Sequence, residues 1–136
     1  MKKYFFLVIT LMVIMVVLIS CGNKTDLELV DDKSFYEDFV VDGNFIIYNC
    51  TVALKNDNSS SVTVKLLGDF QTEYDLGIVT KASEYGIYND SYEITVEANT
   101  EAVYNVSFKL PLNTEYSGTV MKFDRELPPI KAEIQS

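Results

Sequence analysis

Hydrophobic and polar positions alternate with a period of two along most of the chain after residue 43, which predicts strands buried on one face. In "FIIYNCTVALK" (45–55), Ile46, Tyr48, Cys50, Val52 and Leu54 share one face, with Asn49, Thr51 and Lys55 opposite. In "VTVKLLGDF" (62–70), Val62, Val64, Leu66 and Phe70 point one way and Thr63, Lys65 and Asp69 the other. The same alternation groups Tyr92, Ile94 and Val96 in "YEITVEA" (92–98), and Tyr104, Val106, Phe108 and Leu110 in "AVYNVSFKL" (102–110). Shorter strands are expected at "IVTKA" (78–82), "TVMKFD" (119–124) and "IKAEI" (130–134). "SFYEDFVV" (34–41) reads as a first strand or a short helical turn, with Asp31 or Asp32 suited to cap it.

Turn chemistry separates these runs. Asp42-Gly43 suits a tight hairpin, because both residues tolerate the left-handed backbone. "NDNSSS" (56–61), "QTEYDLG" (71–77) and "NTE" (99–101) read as connections. Pro128 and Pro129 cannot donate to a central ladder, so the last strand lies at an edge or starts after them. Seven or eight short strands with no evident helix predict an all-β, antiparallel two-sheet sandwich of about a hundred residues. A closed barrel is the main alternative.

Residues 1–20 have a different character. Lys2 and Lys3 precede an apolar run, Tyr4 to Ile19, broken only by Thr10, and Ser20 and Cys21 lead into the polar "GNKT". A charged start, an apolar core and a small residue before the break are the parts of a cleaved secretory signal. An uncleaved membrane helix is the competing reading, for which the run is slightly short. Leu18-Ile19-Ser20-Cys21 resembles the lipobox of bacterial lipoproteins: a branched apolar residue, a tolerant position, a small residue, then cysteine. The resemblance implies cleavage before Cys21 and diacylation of its sulfur. Two or more acyl chains bury enough methylenes for lasting membrane attachment. It also implies location on the extracytoplasmic side of a bacterial cell membrane. The expected organisation is a signal peptide at 1–20, an acylated tether at 21–30 and a sandwich domain at 31–136.

A second resemblance covers about residues 43–110. "NCTVALKNDNSSSVTVKLLGDF" and "EANTEAVYNVSFKL" are similar to the strands of small immunoglobulin-like, FxLYD-type modules of extracytoplasmic bacterial proteins. Leu54-Lys55-Asn56, Phe70 and Phe108 take the matching places, whereas Tyr74-Asp75 arrive later than the pattern has them. This resemblance implies an immunoglobulin-like sandwich serving as an accessory or binding domain.

Charge narrows the partners. Residues 1–20 hold two of the eleven basic residues and none of the twenty acidic ones, so the remaining 116 residues carry −11 against −9 for the whole chain. That balance argues against nucleic acid, whose phosphates need a basic face, and against electrostatic attachment to anionic lipid. With Cys21 acylated, Cys50 has no intramolecular partner and fits the strand as a small buried hydrophobe.

Candidate chemistry is sparse. The chain has no histidine, so neither a serine–histidine nor a cysteine–histidine pair can form. Acidic residues abound, but no carboxylate pair stands out for hydrolysis. Asp31-Asp32, Asn56-Asp57-Asn58 and Asn89-Asp90 carry oxygen ligands without the spacing of a calcium loop, and turns use the same residues. No cofactor, metal site or enzymatic activity is expected. Tyr85, Tyr88 and Tyr92 lie within eight residues and suit a binding patch for glycan or protein. The other reading places Tyr92 on a strand's inner face and the remaining two over the sandwich end. "KFDRELPPIK" (122–131), with Arg125 the only arginine, reads as a docking segment or as a strand corner. Asn-x-Ser/Thr triplets at Asn23, Asn49, Asn58, Asn89 and Asn105 matter only in a eukaryotic secretory pathway. The expected function is a non-catalytic binding or assembly module with an envelope protein or glycan partner. The alternative is a surface-held immunity or inhibitor protein against a toxin or a cell-wall hydrolase.

Overall fold

The computed structural model describes residues 26–118 and 126–136. The signal peptide expected at 1–20, Cys21, the strand expected at 119–124 and Arg125 lie outside the described residues. Eight strands are described: β1 (Leu27–Leu29), β2 (Phe35–Asp42), β3 (Phe45–Asn56), β4 (Val62–Asp69), β5 (Ser83–Tyr85), β6 (Glu93–Val96), β7 (Thr100–Pro111) and β8 (Ile130–Ile134). They form two antiparallel sheets, so the sandwich forms and the barrel does not.

The first sheet is centred on β3, which pairs with β7 along its whole length, Phe45 opposite Pro111 through to Asn56 opposite Thr100. β1 and β2 share the other side of β3, β1 against Leu54–Asn56 and β2 against Phe45–Thr51. A 3-10 turn at Asp31–Lys33 breaks this edge. Ser34 bridges the break: its Oγ accepts from the Ala53 N–H at 2.9 Å and donates to the Val30 carbonyl at 2.8 Å. Phe35–Asp42 therefore form a strand rather than a helical turn, and no side chain caps the 3-10 turn before it. Residues 27–30, expected in the tether, belong to the domain instead, with the Val30 N–H donating to the Ala53 carbonyl.

The second sheet is centred on β4, with β8 on one side and β6 and β5 in succession on the other. β8 starts directly after Pro128-Pro129, so neither proline sits in the ladder, and among the described residues it pairs with β4 alone. Between β4 and β5 lies a five-residue helix, α1 (Gln71–Asp75), where the sequence pattern predicts a plain connection. Nor is "IVTKA" a strand of its own. Val79 makes an isolated bridge to Leu112, and the Thr80 N–H donates to the Pro111 carbonyl, so this segment docks on the end of β7.

The core lies where the alternation puts it. Ile46, Tyr48, Cys50, Val52 and Leu54 of β3 meet Val64 and Leu66 of β4, Ile94 and Val96 of β6, and Val106, Phe108 and Leu110 of β7. Tyr48 stacks on Phe70 with ring centroids 5.0 Å apart, and Phe70 meets Phe108 at 5.5 Å. Each such side chain contributes about 1.5–3 kcal/mol on full burial. Tyr92 departs from the reading: it precedes β6 and is half exposed while Ile94 and Val96 are buried. Asn56 is fully buried and ties the sheets together. Its Nδ2 donates to the carbonyls of Ser60, Val96 and Glu97 at 3.0–3.1 Å, and its Oδ1 accepts from the Asn58 N–H at 2.9 Å.

Candidate binding face on the first sheet

The outer face of β2, β3 and β7 is where polar side chains converge. The pairing register places them in cross-strand rows. Asp38, Asn49 and Ser107 form one row. Ser107 Oγ donates to Asn49 Oδ1 at 2.7 Å, and Asn49 Nδ2 donates to Asp38 Oδ1 at 2.7 Å. In the neighbouring row Thr51 Oγ1 donates to the Glu37 carboxylate, with Asn105 Oδ1 3.4 Å away. Toward the β2–β3 hairpin follow Val40, Ile47 and Lys109, then Asp42, Phe45 and Pro111.

A β-bulge makes this arrangement possible. The register shifts between Tyr36, opposite Cys50, and Asp38, opposite Asn49, leaving Glu37 as the extra residue. Tyr36 and Phe39 both turn inward against Tyr48, with centroids 6.5 and 6.2 Å away. Glu37 and Asp38, adjacent in sequence, both reach outer-face partners. A strict period of two allows only one of them outside.

These rows floor an open groove of about 730 Å³. Val40, Val41 and Asp42 form one wall, and Ile87, Asn89 and Asp90 form the other. The second wall is a two-residue turn in which Tyr88 and Ser91 exchange backbone hydrogen bonds at 2.8 and 3.0 Å. Asn89 and Asp90 both have positive φ, 47° and 61°, which asparagine and aspartate tolerate best among non-glycine residues. The turn reading of Asn89-Asp90 thus holds, and the same pair lines the groove. Lys109 sits over the Phe45 ring, Nζ 4.5 Å from the centroid.

The three tyrosines of residues 85–92 have separate surroundings. Tyr85 donates from its hydroxyl to Glu133 at 2.8 Å, on the outer side of the second sheet. That hydrogen bond, then desolvation and the charge of Glu133, raises the Tyr85 phenol above its ordinary pKa. Tyr88 packs edge-on against Tyr104 at 5.2 Å. Burial chiefly, then the nearby Tyr88 and Glu97, raises the Tyr104 phenol as well. Tyr92 is half exposed. The groove is therefore lined by the turn between these tyrosines rather than by their rings. Two walls drawn from residues 40–42 and 87–90, far apart in the chain, make a groove that no local sequence signal marks.

Elsewhere, Glu126 to Ile130 line a smaller cleft with Leu29, Asp31 and Ser34. Among the described residues no group of three or more Cys, Asp or Glu side chains is placed to hold a metal ion. Among the same residues no helix is long and apolar enough to cross a membrane. Comparison with known proteins finds no matching family model, no matching curated protein and no matching solved structure.

Proposed function

We propose that the protein is a bacterial lipoprotein, anchored through acyl chains on Cys21, whose sandwich acts as a non-catalytic binding or assembly module outside the membrane. The observation that supports this most is the open outer face of β2, β3 and β7. Its amides, hydroxyls and carboxylates are organised in rows across three strands, with aliphatic positions beside them. Such a surface recognises a partner by hydrogen bonds and shape. No histidine is present anywhere to supply general acid–base chemistry near neutral pH.

Chain geometry fits the anchored role. Only five peptide units join Cys21 to Asp26, which span at most about 18 Å when extended. Leu27 pairs with Asn56, so that end of the sandwich lies nearest the lipid. Ile47, on the groove floor, is nine residues further along β3, about 30 Å away at ~3.3 Å per residue. The groove then stands clear of the bilayer and faces whatever the envelope offers. The second reading, an immunity or inhibitor protein, is favoured by the charge of −11 on the residues after the expected cleavage, since an acidic protein suits a basic toxin or hydrolase.

Detergent-phase partitioning with intact mass analysis tests the anchor. The native protein is expected in the detergent phase, beginning at Cys21 with a diacylglyceryl group, and Cys21→Ala is expected to retain residues 1–20. A Cys21→Ala protein that stays membrane-bound at the mature length contradicts the proposal.

A further inference from the structure

We infer that the outer face of the first sheet receives an extended, lysine-bearing segment of a protein partner. This deepens the binding-module reading and rests on it; what it adds is the chemistry of the occupant.

Three outer-face positions along β2 alternate in character: Asp38, Val40 and Asp42, opposite Asn49, Ile47 and Phe45. Alternate strand residues stand about 6.6 Å apart, which is also the spacing of alternate side chains in an extended peptide. A segment lying along this wall would place a basic residue at each carboxylate and an apolar one over Val40 and Ile47. The fitting pattern is basic-x-apolar-x-basic. Asp90 on the opposite wall and Glu37 beside Asp38 add two more carboxylates to the same face. Among the described residues Lys109 is the one cation lining the groove, and its charge is held over the Phe45 ring. Anionic lipid headgroups and nucleic acid would meet these carboxylates with like charge. A second copy of the chain laid face to face would do the same.

Carbodiimide coupling in intact cells tests this on the full chain, because it joins a carboxylate to an amine only when the two are in contact. Links are expected from Glu37, Asp38, Asp42 or Asp90 to a lysine in a basic segment of another protein. Their yield should fall about tenfold in the Asp42→Lys, Asp90→Lys double variant and persist in Asp42→Glu, Asp90→Glu. It should also fall as added salt shortens the Debye length from about 10 Å toward about 3 Å. All four positions are exposed, and an unchanged melting curve would show that the reversed variant is folded. Links from this face to a neutral or acidic segment, or to a second copy, overturn the inference. Links confined to Asp75, Glu93 or Glu126 overturn the inference while leaving the binding module standing. A chain that links to no protein at all overturns both.

Discussion

Gly86 and Ile87 are neighbours in the chain but hydrogen-bond to opposite sheets. The Gly86 N–H donates to the Leu66 carbonyl of β4, and the Ile87 N–H donates to the Ser107 carbonyl of β7, each at 2.8 Å. This pair closes one edge of the sandwich and lifts the Asn89-Asp90 turn into place as a groove wall. The crossing needs glycine for space. A Cβ at residue 86 would lie 2.3 Å from Val106 Cγ1 and 3.0 Å from the Phe108 ring.

Gly86→Ala is therefore expected to destabilise the fold by about 1–3 kcal/mol through overpacking. Urea denaturation of the variant against the parent measures it, and an unchanged midpoint contradicts the close packing described.

The bulge carries a less intuitive expectation. Deleting Glu37 leaves Tyr36 opposite Cys50 and Asp38 opposite Asn49, now as adjacent residues in an unbroken ladder. The deletion is expected to fold with a small change in stability, losing one outer carboxylate. Deleting Val40 instead would carry Phe39 outward and Asp38 into the core, costing about 3 kcal/mol or more. Thermal melts of the two deletions distinguish them, and equal losses contradict the bulge.

That same contrast shows how far the pattern of residues reaches. The long strands β3, β4 and β7 are legible because each holds at least four inward positions in strict alternation. In β2 the period breaks at Glu37-Asp38, so "SFYEDFVV" reads ambiguously until the register against β3 is known. α1 is too short for a helical period to show, and its N-cap position holds Phe70, which has no capping oxygen. Residues 78–82 carry strand-like composition but are held by the end of β7. The face was legible only in part. Asn49 and Thr51 read as outward, whereas the placing of Asp42 and Asp90 on opposite walls of one groove depends on two turns distant in sequence.

The Tyr85–Glu133 hydrogen bond ties β5 to β8 across the second sheet and gives a pH dependence. Because the folded-state phenol pKa is raised, folding favours the protonated form. Its stabilising contribution is complete below about pH 10, the unfolded value, and is lost as pH rises through the folded value. Glu133→Gln is expected to bring Tyr85 back toward ordinary titration while leaving Tyr104, raised mainly by burial, where it is. Tyrosinate absorbance of the parent, Glu133→Gln and Tyr85→Phe proteins checks this. A titration unmoved by Glu133→Gln contradicts the assigned cause.

The outer face of β2, β3 and β7 is the surface proposed to meet a partner. Carboxylate footprinting by mass spectrometry, comparing intact cells with the purified protein, tests this proposal most directly. Asp42 and Asp90 should be labelled freely in the purified protein and protected in cells. Asp75 on α1 and Glu93 on β6, which are exposed away from this face, should be labelled alike in both. Equal labelling of Asp42 and Asp90 in the two settings would contradict the claim.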